Sequence, residues 1–213
     1  MKSVLTLKPR NLRQAISLCL LAVGFLLTGY VAGQYWGMYH SQKRLEAQWE
    51  KQAAQATVPG LPKLSAEEML TRVSIPKIGL DAIVVEGTSH RQLAIGPAHI
   101  ANTAFPGQMG NAVITGHRDT FFRHIYELQK GDAIFMRRNG EVFKYEVTGK
   151  KIVKPEDVSV LKQTSDAQLT LITCYPIYYI GPAPDRLVIF SRLVDHGSEM
   201  RAGSATAENG ASQ

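Results

Sequence analysis

Three side chains in this sequence have the types that acyl transfer needs, and each stands at the end of an apolar run. Leu169-Thr170-Leu171-Ile172-Thr173-Cys174-Tyr175-Pro176 favours β-structure and stops at a proline, which predicts a thiol at a strand mouth, open to a substrate. Ala112-Val113-Ile114-Thr115 delivers Gly116-His117, and Arg186 opens the run Leu187-Val188-Ile189-Phe190. A nucleophile, a proton carrier and a fixed cation at three strand ends point to acyl transfer by a thiolate.

The chemistry follows from the groups. A free cysteine, with a pKa near ~8.5, is mostly thiol at neutral pH, and a neighbouring imidazolium or cation favours the thiolate. The chain has two cysteines, and Cys19 lies inside an apolar stretch from which it cannot easily meet Cys174. An unpaired thiol in an exported protein is a candidate reactive group, although most lone cysteines are small buried hydrophobes. Among six histidines, His117 directly follows an apolar strand, as Cys174 does; His99, after Gly96-Pro97, is its rival. A structural histidine is the bland reading of either. Arg186 offers a permanent cation to an oxyanion or a substrate carbonyl, or else it is solvated or paired with Asp185. The stretch Tyr175 to Asp185 carries Tyr178 and Tyr179, which either wall a groove for an extended peptide or cap the core.

These groups need a scaffold. From Thr71 to about Asp195 the chain reads as short strands separated by turns, a barrel or a sandwich. Asn139-Gly140 is a hairpin signal between Ala133–Arg137 and Glu141–Val147. In the second of these strands Phe143, Tyr145 and Val147 alternate with Lys144 and Glu146, which gives it one buried face. Two short helices are expected, one capped at Thr88-Ser89 and one through Phe121–Leu128.

The N-terminus is of another kind. Lys2, Lys8, Arg10 and Arg13 precede an uncharged stretch, Ala15 to Gly33, close to the ~20 residues of a spanning helix. Tyr30, Tyr35, Trp36 and Tyr39 gather at its far end like an interfacial belt, and the cations before it predict a cytoplasmic N-terminus. A cleaved signal peptide is the competing reading, but its apolar region is usually only ~7–15 residues long. The expected organisation is a basic N-terminus (1–14), a transmembrane anchor (15–39), a stalk and linker (40–70), a catalytic domain (71–196) and a disordered tail (197–213). Ser41 to Ala56 reads as a helical stalk, and Thr57-Val58-Pro59-Gly60-Leu61-Pro62 as the linker that breaks it.

Composition narrows the function further. The net charge of +6, with 45% hydrophobic and 20% charged residues, is ordinary for a globular protein. No stripe of interleaved cations and aromatics marks a nucleic-acid surface, and no glycine-rich phosphate loop or internal repeat is present. No cofactor or metal site is evident, since Cys174 and His117 lack partners at ligand spacing; calcium held by loop carboxylates stays open.

Taken together, Thr170-Leu171-Ile172-Thr173-Cys174 resembles the TLxTC signature of sortases, the cysteine transpeptidases of bacterial surfaces. Ile114-Thr115-Gly116-His117-Arg118-Asp119-Thr120 resembles their histidine motif, and Asp185-Arg186-Leu187-Val188 their arginine strand. Ile75-Pro76-Lys77-Ile78-Gly79-Leu80 and Val85-Glu86-Gly87-Thr88-Ser89 are similar to the family's opening strands, and Cys174-Tyr175-Pro176 is most like class D. The resemblance covers roughly Val73 to Val194. It implies a mainly β fold: an eight-stranded sortase-type barrel with short helices, behind one N-terminal transmembrane helix. It implies that Cys174 attacks the threonine carbonyl of an LPxTG-like sorting signal to form a thioacyl-enzyme, that His117 protonates the leaving amine, and that Arg186 holds substrate and oxyanion. Thr173 is implied to touch the substrate. The implied partners are surface proteins bearing such signals and an amine acceptor, a cell-wall precursor or a pilin lysine. The implied location is the bacterial cytoplasmic membrane, single-pass, with the catalytic domain outside. The alternatives are a membrane-anchored cysteine peptidase that hydrolyses the same intermediate, and a non-enzymatic surface module with a buried thiol.

Overall fold

The computed structural model describes residues 9–56 and 69–198. The linker read at Thr57–Pro62 and the tail beyond Ser198 lie outside the described residues. The chain divides into two compact units, Met1–His40 and Ser41–Gln213. A helix α1, Pro9–Ala56, supplies all the described structure of the first unit. A 44-residue stretch of it, Leu12–Gln55, is long and apolar enough to cross a membrane, and its most apolar window is entirely unburied. Leu20, Phe25, Leu26 and Tyr30 are among the large apolar side chains it leaves bare, which in water would be a costly surface and in lipid is the expected one.

The second unit is a closed barrel. Its strands are β1 (Thr71–Ile75), β2 (Leu80–Glu86), β3 (Ala98–His99), β4 (Gly110–Thr115), β5 (Ala133–Arg138), β6 (Glu141–Val153), β7 (Ala167–Tyr175) and β8 (Asp185–Ser198). Around the barrel the order is β1-β2-β3-β4-β7-β8-β6-β5. Closure leaves no bare sheet edge. β2–β3 and β4–β7 are parallel; all other neighbours are antiparallel. The β5–β6 hairpin turns on Asn139 and Gly140, at φ +52° and +72°, with Arg138 paired to Glu141 across it. Two successive positive φ values match the twist of the flanking strands, which is why Asn-Gly stands here.

Alternation sorts the side chains into two apolar layers. Ala112, Ile114, Leu169, Leu171, Leu187 and Ile189 join one large core with Phe143, Tyr145 and Val147, which are 7%, 0% and 1% exposed. The intervening residues Val113, Ile172 and Val188, with Val153, form a second, smaller cluster on the opposite face of the same strands. Val160 and Leu161 pack against it from the 3-10 turn Val158–Leu161, whose start is capped by Asp157 accepting from the Ser159 amide.

Both expected helices differ in detail. The first is α2, His90–Ile95; Ser89 holds its N-cap position without a side-chain capping bond. The second is not an α-helix: Phe121–Leu128 folds as successive tight turns with a 3-10 turn at Ile125–Glu127. Phe122, Ile125 and Leu128, each 0% exposed, recur every third residue. That period matches the 3.0 residues per turn of a 3-10 helix, and Ile125, Glu127 and Leu128 each donate to the carbonyl three residues back.

The part of α1 within the second unit, from Ser41, is bonded to the barrel. Gln42 donates through Nε2 to the Ile83 and Ile95 carbonyls (3.1 and 3.0 Å) and accepts from the Ile83 amide (2.9 Å). Arg72 sits 5.2 Å from the Trp49 ring centre and bridges Glu46 (3.2 Å) and Asp81 (2.7 Å). Leu70 N donates to Gln52 Oε1 at 2.9 Å.

Candidate active site

The parallel pairing of β4 with β7 brings two distant chain segments to one end of the barrel. The ladder runs from Gly110↔Ala167 to Thr115↔Ile172. One further bond, Gly116 N to Ile172 O at 3.1 Å, carries it into the turn before His117. Thr173 adds a cross-brace: its hydroxyl donates to the Gly116 carbonyl at 2.7 Å, and its side chain is 1% exposed. His117 therefore leaves β4 beside the end of β7, where Cys174 is partly exposed and free of any disulfide.

β8 completes the set. Cys174 lies directly opposite Arg186 in the β7–β8 ladder, with Ile172 opposite Val188. Cys174 and Arg186 thus share a face with Ile172 and Val188, at the end of the smaller apolar layer. Arg186 Nη1 donates to the Ala183 and Asp185 carbonyls (3.2 and 2.9 Å). Its neighbour's carboxylate is not its partner: Asp185 Oδ1 takes Lys154 Nζ at 2.7 Å, a pairing that raises the lysine above its ordinary range.

Gly116 has a packing reason. A Cβ there would come within 2.9 Å of the Phe122 ring, a side chain that is itself 0% exposed beneath the turn. Phe122 N also donates to His117 O at 3.1 Å, so the turn curls around that ring.

His99 stands in a different setting. It is 4% exposed on β3. Its Nδ1 meets both Glu86 carboxylate oxygens (3.0 and 2.9 Å), and its Nε2 lies 2.9 Å from Ala104 O and from Thr103 Oγ1. The ring stacks on Phe105 at 4.8 Å, and Arg138 lies over the same Phe105 at 3.9 Å. Burial pulls the Arg138 guanidinium below its ordinary range. With both nitrogens engaged, His99 serves as a buried joint between β2, β3 and the loop that follows.

The stretch between Cys174 and Arg186 stands out from the barrel. Tyr178, Tyr179 and Ile180 are 72%, 47% and 100% exposed. Two residues after His117, neither assigned a role by the sequence reading, hold it. Arg118 donates to Pro176 O (3.0 Å) and Gly181 O (2.8 Å), with the Tyr179 ring 5.8 Å away. Tyr126 sits edge-on to Tyr178 at 6.3 Å, and a hydrogen bond between the two pushes the Tyr126 phenol up to about 12. Beside them is a groove of about 520 Å³, lined by Tyr126, Lys151, Ile152, Tyr175, Ile177 and Leu187 among others. Among the described residues, no group of three His, Cys, Asp or Glu side chains is arranged to hold a metal ion.

A family model described as a sortase domain matches residues 73–194. The chain is 39% identical over 123 residues to sortase D of Bacillus subtilis, covering 57% of this chain and 62% of that protein. It is 30% identical over 118 residues to sortase A of Bacillus anthracis, covering 54% and 56%. The chain thus spans about three fifths of the length of these curated relatives. Among solved structures, a Clostridium perfringens sortase D5 transpeptidase superposes with a TM-score of 0.63 at 26% identity, over 73% of this chain and 99% of that one. Sortase C-1 of Actinomyces oris gives 0.54 at 32% identity, over 59% and 73%.

Proposed function

The chain belongs to the sortase family, and from that membership we propose a membrane-anchored cysteine transpeptidase that cuts an LPxTG-like sorting signal and passes the protein to an amine. The Cys174 thiolate attacks the threonine carbonyl carbon. A C–S bond forms, and the threonine–glycine C–N bond breaks as His117 gives a proton to the leaving amine. Arg186 faces the oxyanion that develops on the carbonyl oxygen, a type of contact commonly worth 10²–10³-fold in rate. A primary amine, from a cell-wall precursor or a pilin lysine, then attacks the thioester and regenerates the thiol. Tyr178 and Tyr179 wall the peptide's path, and Thr173, its hydroxyl occupied by Gly116, aligns the His117 turn.

The observation that carries this reading is the register: Cys174 opposite Arg186 on one side of β7, and the His117 turn bonded to Ile172 and Thr173 on the other. The apolar run of α1, with Lys2, Lys8, Arg10 and Arg13 before or at its start, supports an uncleaved anchor with the barrel outside the cytoplasmic membrane. The test uses the full chain in detergent with a fluorescent sorting peptide and a small primary amine. Ligated product should depend on the amine and vanish in Cys174→Ala, a change that leaves little cavity at a partly exposed strand end. Amine-dependent ligation at a few per cent of wild type in that variant would remove Cys174 as nucleophile. Hydrolysis that added amine leaves untouched would instead make the protein a peptidase.

A further inference from the structure

In the stretch that joins Cys174 to Arg186, Ile177 is buried, but the residues beyond it have little burial of their own to hold them. The tip, Tyr178 to Ile180, presents three large apolar side chains to solvent, and such a segment is ordinarily among the first parts of a fold to open. Yet it borders the thiol, and its position defines one side of any peptide path. What fixes the tip is polar, with Arg186 Nη1 donating to the Ala183 carbonyl at its far end. Arg118 sends Nη1 to Pro176 O and Nη2 to Gly181 O, so one planar group spans both ends of the tip. The Tyr179 ring lies near the same guanidinium. A lysine keeps the charge but carries its donors on one nitrogen, without the planar fork whose two nitrogens make these bonds.

The clamp is rigid on its own side. Arg118 belongs to the segment packed down through Phe122, Ile125 and Leu128, all fully buried, and Tyr126 of the same segment engages Tyr178. The residue after His117 therefore holds the chain that follows Cys174.

We propose that Arg118 is a positioning residue that sets sorting-peptide affinity by clamping Ile177–Ala183 in its binding-competent arrangement. The proposal rests on the transpeptidase reading above. It places Arg118 outside the bond-making steps. Its loss lowers the fraction of protein whose loop is correctly set, and apparent affinity falls in proportion to that fraction.

The experiment compares the full-length protein in detergent with Arg118→Gln and Arg118→Lys. The rate of native-state chymotryptic cleavage after the exposed Tyr178 and Tyr179 and steady-state transfer kinetics are measured on each. In Arg118→Gln, cleavage at the tip should speed up about tenfold or more while the melting temperature is unchanged. KM for the sorting peptide should rise about tenfold, with kcat within about twofold and KM for the amine unchanged. Arg118→Lys should recover only part of the loss. Unchanged cleavage at the tip in Arg118→Gln overturns the clamp. A fall in kcat at constant KM also overturns it, by placing Arg118 among the groups that act on the reacting atoms. If the wild-type protein transfers no peptide, the transpeptidase reading fails, and the cleavage measurements alone decide whether Arg118 holds the loop.

Discussion

Thr173 offers a direct test of how the site is aligned. Its hydroxyl is buried and donates to the Gly116 carbonyl at 2.7 Å, one residue before His117 and one residue before Cys174 on the two strands. Thr173→Val keeps the shape and removes the donor. A buried hydrogen bond is worth about 0.5–1.5 kcal/mol net, and a carbonyl left without its partner costs about 1–3 kcal/mol. A barrel of this size loses roughly 3–5 °C of melting temperature per kcal/mol, so the valine variant should melt about 3–15 °C lower and still be folded at 25 °C. Catalysis should suffer more than stability. Without the brace the His117 turn relaxes away from β7, and a displacement of about 1 Å between reacting groups can cost on the order of 10²-fold. Thr173→Ser restores the donor and should recover most of both losses. Differential scanning fluorimetry gives the first quantity, and amine-dependent ligation of a sorting peptide gives kcat. Wild-type kcat and melting temperature in Thr173→Val would refute the alignment argument. A serine variant as impaired as the valine would locate the effect in the lost methyl instead.

Two further expectations are independent of that brace. His117→Ala should lose about 10²–10⁴-fold in kcat with little change in melting temperature, whereas His99→Ala, which strips Glu86 and the 103–104 loop of their partner, should lower melting temperature with a far smaller change in kcat; the reverse ranking would move the proton carrier to His99. Hydrogen bonds from Ser159 hold the Asp157 carboxyl below its ordinary value, so its capping contribution is present at neutral pH and lost as pH falls through the folded-state value, below the usual carboxylate range. The melting-temperature gap between wild type and Asp157→Ala should accordingly be full at pH 7 and close on strong acidification, and a gap constant down to pH 2 would contradict the cap.

What can be read from residues alone follows the range of the interactions. Asn139-Gly140 announces its hairpin because the turn's geometry is a property of those two residues. Alternation marks Phe143, Tyr145 and Val147 because one strand's burial needs no knowledge of its partner. Apolar runs that stop at His117 and Cys174 mark strand ends for the same reason. The 121–128 turns are misread as a helix because Phe122, Ile125 and Leu128 also suit an i, i+3 helical face, and only packing beneath Gly116 selects the tighter winding. The Arg118 clamp leaves no signature, since its acceptors are backbone carbonyls that any residue could supply. The Glu86–His99 joint depends on parallel β2–β3 pairing, which no local pattern reveals. Gln42 reads as one more polar helix residue until the Ile83 and Ile95 carbonyls are seen against it.

The β4–β7 pairing also orders the assembly of the site in time. Cys174 and Arg186 face each other across consecutive strands, a contact that a short loop closure can bring about. Thr173 and Gly116 are 57 residues apart in sequence, and their meeting must wait until the longer loop between them has closed, at greater entropic cost. In a chain assembling in that order, the strand of Cys174 meets the strand of Arg186 before the His117 turn reaches it, so the three side chains of the proposed site come together only when the β4–β7 ladder forms.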